Sequence, residues 1–240
     1  MTSELDRQFS FHRFRKLRLY FAWIFVFLLL FFVKSTVTGF LIGTPFILAG
    51  EALRIWAHGY LRKARRLATD GPYAYVRNPL YLGNFLIGAG FCIVIWHPLI
   101  FVAFLFGFFA VYWITISGEE QRLSLKFENN FRDYSKAVPR FFPRLTPYKK
   151  RSGARFAPHR IWGHGEPITL FAILSLFFFL YVRQEFYQEH QSLDGINGLA
   201  GVLWIVFGAL TLFSLFWRYR YKKIKKRSRN PKFSAALLGK

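Results

Sequence analysis

The chain has 240 residues, with 34 Lys and Arg against 12 Asp and Glu, so its formal net charge is +22, yet 53% of its residues are hydrophobic. Aromatic residues make up 21% of the chain, which excludes an intrinsically disordered polybasic protein. A single cysteine, Cys92, excludes an intramolecular disulfide and a multi-cysteine metal centre. This combination indicates a membrane protein whose loops are basic.

The apolar residues are concentrated in runs that approach the length needed to cross a hydrocarbon core of about 30 Å. They predict an all-α integral membrane protein with about six transmembrane helices. The first run lacks a small-residue cleavage site, so we expect it to remain as an anchor. The six predicted spans are Leu19–Val33, Thr36–Ala57, Leu80–Trp96, Leu99–Ile116, Ile168–Val182 and Leu199–Trp217.

The positive charge falls almost entirely on one side of these six spans. Residues 1–18, 58–79, 117–166 and 218–240 carry nearly all of the Lys and Arg, whereas the opposite loops are short and close to neutral. By the positive-inside rule, both termini and the two long loops are predicted to be cytoplasmic. The basic loops and tail are expected to bind anionic lipid headgroups rather than nucleic acid.

The loop between the second and third predicted spans contains two turn signals, Asp70-Gly71-Pro72 and Asn78-Pro79. Proline is tolerated in the first turn of a helix, so the third span is predicted to begin at Pro79. Its free amide groups would then point toward the cytoplasmic mouth and could hold a ligand carboxylate. The alternative is a plain connector whose basic residues contact lipid phosphates.

A pair of acids, Glu119-Glu120, follows the fourth predicted span on this basic side. Spans three and four are joined only by His97-Pro98, so they must be antiparallel neighbours, which brings residues 78–81 and 119–120 to the same end. An acidic pair facing an Arg, Asn and Tyr loop could bind a cationic or zwitterionic ligand. The alternative is that both acids occupy the first turn of a cytoplasmic helix and stabilise its macrodipole.

An amphipathic helix is predicted after these acids and is expected to end at Val138-Pro139. Its apolar positions recur every three or four residues on one face, so the helix is expected to lie on the loop or on the membrane surface, where it can act as a lid over a cytoplasmic cofactor pocket. These positions are Leu123, Phe127, Phe131, Tyr134 and Val138.

In these segments the chain resembles the superfamily of isoprenylcysteine carboxyl methyltransferases and phospholipid methyltransferases, which are integral membrane enzymes. The segment GPYAYVRNPLYLGN is similar to that superfamily's Gly-x-Tyr…Arg-His-Pro-x-Tyr-x-Gly pattern. The acidic pair about forty residues later and the helix that ends in Tyr134…Val138-Pro139 also match. The resemblance covers roughly residues 36–147.

The resemblance implies an S-adenosylmethionine-dependent membrane methyltransferase that acts on a lipophilic acceptor by N-, O- or S-methylation. It implies no metal ligands. Glu119 is expected to face the cofactor's ammonium group, and Glu120 is the candidate base that takes a proton from the acceptor. Carried over by position, the cofactor-binding residues are His58, Arg65, Leu67, Ala68, Tyr73, Asn78, Pro79, Tyr81 and Glu119.

Three positions depart from the superfamily pattern. Asn78 replaces the histidine of Arg-His-Pro, as in phospholipid methyltransferases, so this position cannot titrate. Thr115 replaces an arginine that is thought to engage the acceptor carboxylate in isoprenylcysteine enzymes, which weakens the case for an isoprenylcysteine acceptor. Phe127-Glu128 replaces the usual Phe-Gly of the lid helix.

The resemblance also orders the chain into segments. Residues 1–35 are an N-terminal anchor, 36–147 the methyltransferase-like core, 148–166 a basic loop, and 167–240 two further spans with a basic tail.

Two other functions remain open from the sequence. Sterol or isoprenoid reductases that use NADPH resemble the same Pro-x-Tyr-x-Gly pattern, although paired acids suit a phosphorylated dinucleotide poorly. A non-enzymatic membrane protein such as a transporter would have only Glu51 and Arg54 as charges within a span. They lie three apart on one helical face near the cytoplasmic end, and they are expected to pair with each other or with the loop.

Overall fold

The computed structural model describes residues 21, 24, 25, 35–61 and 66–188, and the chain divides into two compact units, Met1–His164 and Gly165–Lys240. The described residues form helices, turns and loops without a strand, which confirms the predicted all-α class. Five α-helices are described: α1 (Val37–Tyr60), α2 (Pro79–Ile95), α3 (Pro98–Ala137), α4 (His159–His164) and α5 (Glu166–Gln188). A short 3-10 helix, Gly71–Ala74, lies between α1 and α2.

The starts of the first three helices follow local rules. The Thr36 side chain accepts a hydrogen bond from the Gly39 amide at 3.0 Å and so caps α1. α2 and α3 each begin with a proline. Its missing N–H costs no hydrogen bond there, because the first amides of a helix have no partner within the helix. α2 ends at Trp96, whose left-handed φ of 53° reverses the chain just before α3. The predicted tight hairpin between the third and fourth spans is therefore confirmed.

α1 and α3 are long and apolar enough to cross a membrane. In their most apolar windows only 33% and 39% of the residues are buried, and Leu41, Leu99 and Phe106 are each more than 70% exposed. Apolar surface of this extent suits a helix in lipid better than one in the core of a soluble domain. α2 and Glu166–Val182 of α5 are apolar but shorter.

The four predicted spans that fall on described residues coincide with α1, α2, the first half of α3 and α5. Leu19–Val33, apart from residues 21, 24 and 25, and all of Leu199–Trp217 lie outside the described residues.

α3 corrects one of the alternatives left open by the sequence. It has 40 residues and is kinked at Glu128, whose backbone torsions are not helical, so the continuous helix before the kink, residues 98–127, is about 45 Å long and still exceeds the thickness of a hydrocarbon core. Glu119 and Glu120 lie in the middle of this helix and not in the first turn of a separate one. The macrodipole explanation for the acidic pair is therefore wrong, since the dipole effect fades beyond the first turn.

α1 and α2 pack through a glycine seam, formed by Gly39, Gly43 and Gly50 of α1 with Gly83 and Gly90 of α2. A Cβ atom at Gly43 would lie 2.5 Å from the carbonyl oxygen of Gly90. A Cβ atom at Gly50 would lie 2.6 Å from the carbonyl oxygen of Gly83. The two backbones therefore touch directly, as small residues permit in membrane helices.

α2 and α3 pack instead through an aromatic interface, defined here as Tyr81, Phe85, Phe104, Phe108 and Tyr112. The ring centroids of Phe85 and Phe104 are 5.9 Å apart, and those of Phe108 and Tyr112 are stacked at 4.1 Å. Tyr81 and Tyr112 meet edge to face at 5.1 Å. Such pairs contribute about 0.5–1.5 kcal/mol each beyond the area that they bury.

Candidate cofactor site

The distal half of α3 lies on the loop that precedes α2, as the sequence predicted for the lid. We use "lid" for residues 119–137 of α3. The apolar lid residues Phe131 and Tyr134 join one buried cluster with Ala74 of the loop and Tyr148 of the returning chain. Leu67, Tyr75, Leu123, Phe127 and Val138 complete this cluster. The apolar face of the lid therefore covers the loop.

Hydrogen bonds from the lid and from the chain that follows it hold the loop in place. The Tyr134 hydroxyl donates to the carbonyl oxygen of Tyr73 at 2.7 Å. Three backbone bonds then pair residues 139–148 with the loop: the amides of Arg77, Arg144 and Tyr148 donate to the carbonyls of Pro139, Tyr75 and Ala74 at 2.9–3.0 Å. Because these bonds satisfy backbone groups, the loop has a defined shape.

The hairpin brings Tyr81 and Glu119 together. The Tyr81 hydroxyl donates to Glu119 Oε1 at 2.7 Å. The Glu119 side chain is partly buried, and it also interacts electrostatically with Arg122, about one turn further along α3. The Glu119 carboxylate therefore retains capacity to accept further donors.

Glu120 is held far more tightly than Glu119. Arg140 donates through Nε and a terminal nitrogen to Oε2 at 3.1 and 2.7 Å, and a terminal nitrogen of Arg77 lies 3.2 Å from Oε1. The Asn78 amide contacts the same Oε1 at 3.4 Å and donates to the Arg140 carbonyl at 3.0 Å. The neighbouring acids thus have different surroundings, one open and one enclosed by two guanidinium groups.

Tyr73 presents a hydroxyl that has no hydrogen-bond partner among the described residues, although the side chain is buried. Burial raises the pKa of Tyr73 well above its ordinary value, and the nearby Tyr134 and Glu119 raise it further. The phenol therefore stays neutral and keeps its proton as a donor. A buried hydroxyl without a partner is costly, which favours a ligand or water at this position.

The other predicted site residues are more spread out. His58 is buried in the last turn of α1, Leu67 packs under the lid and Ala68 is partly buried in the loop. Pro79 is buried as the first residue of α2, close to the Asn78 and Glu120 contact. Arg65 lies outside the described residues. The structure thus brings Tyr73, Asn78, Tyr81, Glu119 and Glu120 into one group of side chains.

Sequence reasoning missed Arg140 as a partner of the acidic pair. Arg140 comes directly after the Pro139 that ends the lid, so its return to the same end of the hairpin is visible only in the fold. One signal was available: two acids among basic loops require nearby cations, and Arg140 is the first arginine after the lid.

A polar chain inside the helices was also missed. Arg54 of α1 is bonded to Asn84 of α2, and the Asn84 amide donates to the Tyr112 hydroxyl of α3 at 3.3 Å. Glu51 lies 3.7 Å from Arg54, which agrees with the predicted pairing of these two charges on one helix face.

Within the described residues, no group of three or more His, Cys, Asp and Glu side chains is placed to hold a metal ion.

Comparison with known proteins bears on the hairpin and its site. Residues 19–130 match the phospholipid methyltransferase family. The match includes Tyr73, Asn78, Tyr81 and both acids, and it confirms the resemblance to integral membrane methyltransferases.

Two curated relatives carry other names. The nickel-cobalt-cadmium resistance protein NccN of Alcaligenes xylosoxydans xylosoxydans is 36% identical over 104 residues, which are 41% of this chain and 47% of the relative. The cobalt-zinc-cadmium resistance protein CzcN of Cupriavidus metallidurans is 34% identical over 103 residues, 41% of this chain and 46% of the relative. The chain thus matches slightly less than half the length of each. No solved structure matches the chain.

Proposed function

We propose that the protein is an S-adenosylmethionine-dependent methyltransferase that modifies a nitrogen, oxygen or sulfur nucleophile on a lipophilic acceptor in the membrane. The observation that supports this most strongly is the bond between Tyr81 and Glu119 beside the unpartnered hydroxyl of Tyr73. These residues lie within the segment that matches the phospholipid methyltransferase family.

The residues of this group suit S-adenosylmethionine chemically. When bound, this cofactor supplies a methyl group on a positively charged sulfur. The open carboxylate of Glu119 provides the negative charge that its ammonium group requires, and the Tyr73 hydroxyl provides a neutral donor. Tyr81 holds Glu119 in place, and its ring adds an aromatic wall.

Glu120 takes a positioning role in this proposal. Its oxygens already accept bonds from Arg140 and Asn78 and pair with Arg77, so few of its lone pairs remain for an acceptor proton. The sequence-based role of Glu120 as a base stays a prediction. Through its partners, Glu120 ties the start of α2 to the end of the lid.

The chain's contribution to catalysis is positioning and exclusion of water. The lid cluster of Phe131, Tyr134 and Tyr148 covers the loop, and the backbone bonds of residues 139–148 keep it closed. A covered site of this kind orients two reactants and strengthens the interaction of its acids with a cation.

The proposal includes the orientation of the protein. The lid, the loop before α2 and both termini lie on the cytoplasmic side, where their Lys and Arg residues contact anionic headgroups. Residues 167–240 add two further spans and a basic tail to the methyltransferase-like core.

The first test is cofactor binding by the full-length protein in detergent micelles, measured by isothermal titration calorimetry. Glu119→Gln removes the charge that faces the ammonium group, so we expect S-adenosylmethionine to bind about tenfold to a hundredfold more weakly. The matched control is Glu128→Gln, which makes the same change at an exposed position on the same helix. Equal affinities of the wild type and Glu119→Gln would refute the assignment of Glu119.

The second measurement is the reaction. The protein is incubated with methyl-labelled S-adenosylmethionine and a total membrane lipid extract, and we expect a labelled lipid product. Oxidation of NADPH without methyl transfer would overturn the proposal in favour of the reductase.

The names of the two relatives suggest a biological setting. We propose that any contribution of this chain to metal resistance comes from the methylated membrane component and not from metal binding at this site. The acids of the site already lie beside tyrosine, amide and arginine side chains. In a metal-sensitive host, protection against nickel or cobalt by the wild type but not by Glu119→Gln supports that route.

A further inference from the structure

An aromatic groove lies between α3 and the segment that follows the lid. Tyr112, Trp113 and Ile116 form its floor, and Phe141 and Phe142 of the segment after the lid form its opposite wall. Its volume is about 310 Å³, at the lower end of the range typical of small-molecule sites. Trp113 is 62% exposed and Phe142 is 75% exposed, so the groove opens outward.

The lining indicates what kind of ligand the groove takes. Apart from Arg140, the side chains around it are aromatic or aliphatic. The guanidinium of Arg140 lies 4.7 Å from the centre of the Trp113 ring and binds Glu120, so the single charged side chain of the lining lies beside the acidic pair. This arrangement suits an amphiphile with a hydrocarbon chain and a polar end.

The groove is continuous with the candidate cofactor site. Tyr112 lines the groove and contacts the ring of Tyr81, which donates to Glu119. Ile116, also in the lining, precedes Glu119 and Glu120 by about one helical turn. A molecule lying in the groove with its polar end toward Arg140 therefore reaches the group that holds Glu119.

We propose that this groove binds one acyl chain of the methyl acceptor, a membrane lipid, and so directs the lipid's polar end to Glu119 and Tyr81. This inference rests on the proposed function. The exposed side chains of the groove, Trp113 and Phe142, give it an apolar opening at the surface of the membrane-spanning part of α3, where the acyl chains of a bilayer would lie. A chain enters from the side, and its polar end stays at the level of Arg140.

The test uses the full-length protein in phosphatidylcholine vesicles that contain a trace of phosphatidylcholine with a diazirine in one acyl chain. After irradiation, mass spectrometry of peptides maps the labelled residues. We expect labelling to concentrate on residues 108–116 and 139–142. The double variant Trp113→Ala, Phe142→Ala is expected to lower labelling there at least about fivefold, because two large apolar surfaces are lost.

The matched control is Phe106→Ala, which removes an exposed aromatic ring from the same helix outside the groove. It is expected to leave labelling of the groove unchanged. Uniform labelling of all exposed apolar residues, with no effect of the double variant, would overturn the proposal. Cross-links from the groove to a second copy of the chain would also overturn it.

Calorimetry with S-adenosylmethionine on the same samples separates the two proposals. Concentrated labelling without cofactor binding would refute the methyltransferase while the groove stands as a lipid site. Cofactor binding with uniform labelling would leave the methyltransferase standing and refute the groove. Once a lipid acceptor has been identified, Trp113→Ala is expected to raise KM for the acceptor and to leave KM for the cofactor unchanged.

Discussion

The two faces of α2 meet their neighbours in opposite ways. Toward α1 the backbones approach closely, because Cβ atoms added at Gly83 and Gly90 would meet the carbonyl oxygens of Gly50 and Gly43 as well as the stems of α1 side chains. Toward α3 the contact is made by the side chains of the aromatic interface, such as Phe104 and Phe108. The glycine seam has no room to adjust, whereas rings can rotate and shift.

This difference explains where the site lies. Tyr81, Glu119 and the groove are all on the side of α2 that faces α3, where side chains and not backbones make the contact. The α1–α2 pair provides a rigid support for one wall of the site. Function on the adaptable face and rigidity on the other is an arrangement that binding proteins use widely.

The largest expected effect comes from filling the seam. Gly90→Ala places a Cβ atom 2.8 Å from the Gly43 carbonyl oxygen and 3.0 Å from the Ile47 amide nitrogen, which cannot move alone. We expect a loss of about 2–3 kcal/mol in the free energy of unfolding. The three atoms nearest an added Cβ at Gly88, two residues away, are all ring atoms of Phe104, which can shift more readily than backbone, so Gly88→Ala should cost less, about 1 kcal/mol.

Both variants are measured by denaturant titration of the protein in detergent micelles. Gly118→Ala is the control, because nothing lies within 4 Å of its added Cβ atom, and it should be neutral or stabilising by up to about 1 kcal/mol. Equal losses for Gly88→Ala and Gly90→Ala would contradict the contrast between the two faces.

A smaller effect is expected at the charged end of the adaptable face. Glu120→Ala leaves Arg77 and Arg140 without their carboxylate, and because the Arg140 side chain is 29% exposed, part of the penalty is relieved by water. We expect a loss of about 2 kcal/mol in unfolding free energy. Glu119→Ala should cost less than about 1 kcal/mol, since it removes one neutral hydrogen bond from Tyr81 and an electrostatic interaction with Arg122, which is exposed to solvent.

Thermal unfolding of both variants in micelles, together with cofactor calorimetry, separates the two acids. Glu120→Ala is expected to lower the unfolding temperature, whereas Glu119→Ala is expected to weaken cofactor binding without that shift. If both variants lost the same stability, the distinction between an open and an enclosed acid would fail.

Much of the adaptable face could be predicted from the sequence, because it depends on short connections. The two-residue turn before Pro98 required the hairpin, and the hairpin required Tyr81 and Glu119 to meet at one end. The apolar period of the lid likewise predicted its contact with the loop. Local geometry thus determined these contacts.

The remaining contacts depend on packing between segments that are far apart in sequence, which the spacing of residues does not reveal. No local signal showed that α3 would continue unbroken through Glu119, since a long helix and two short ones share the same apolar period. Gly90 packs against Gly43 and Ile47 of α1, a contact between helices that no spacing in the sequence identifies. Arg140 meets Glu120 only because the chain returns after the lid.

The smallest expected effect concerns Glu128, which stands where the resembling superfamily has a glycine. The seam glycines are required by their neighbours, but Glu128 has a φ of 40° inside the lid, a conformation that its own backbone favours only in glycine. The resembling superfamily has Phe-Gly where this chain has Phe127-Glu128. Because the Glu128 side chain is exposed, Glu128→Gly relieves backbone strain without removing a buried contact, and we expect about 1 kcal/mol of stabilisation.

The control is Leu125→Gly, at an exposed position in the same helix, which should instead lose about 1 kcal/mol of unfolding free energy. Opposite signs in denaturant titrations would place a glycine-like torsion in the lid, and equal losses would show that the lid is an ordinary helix at residue 128.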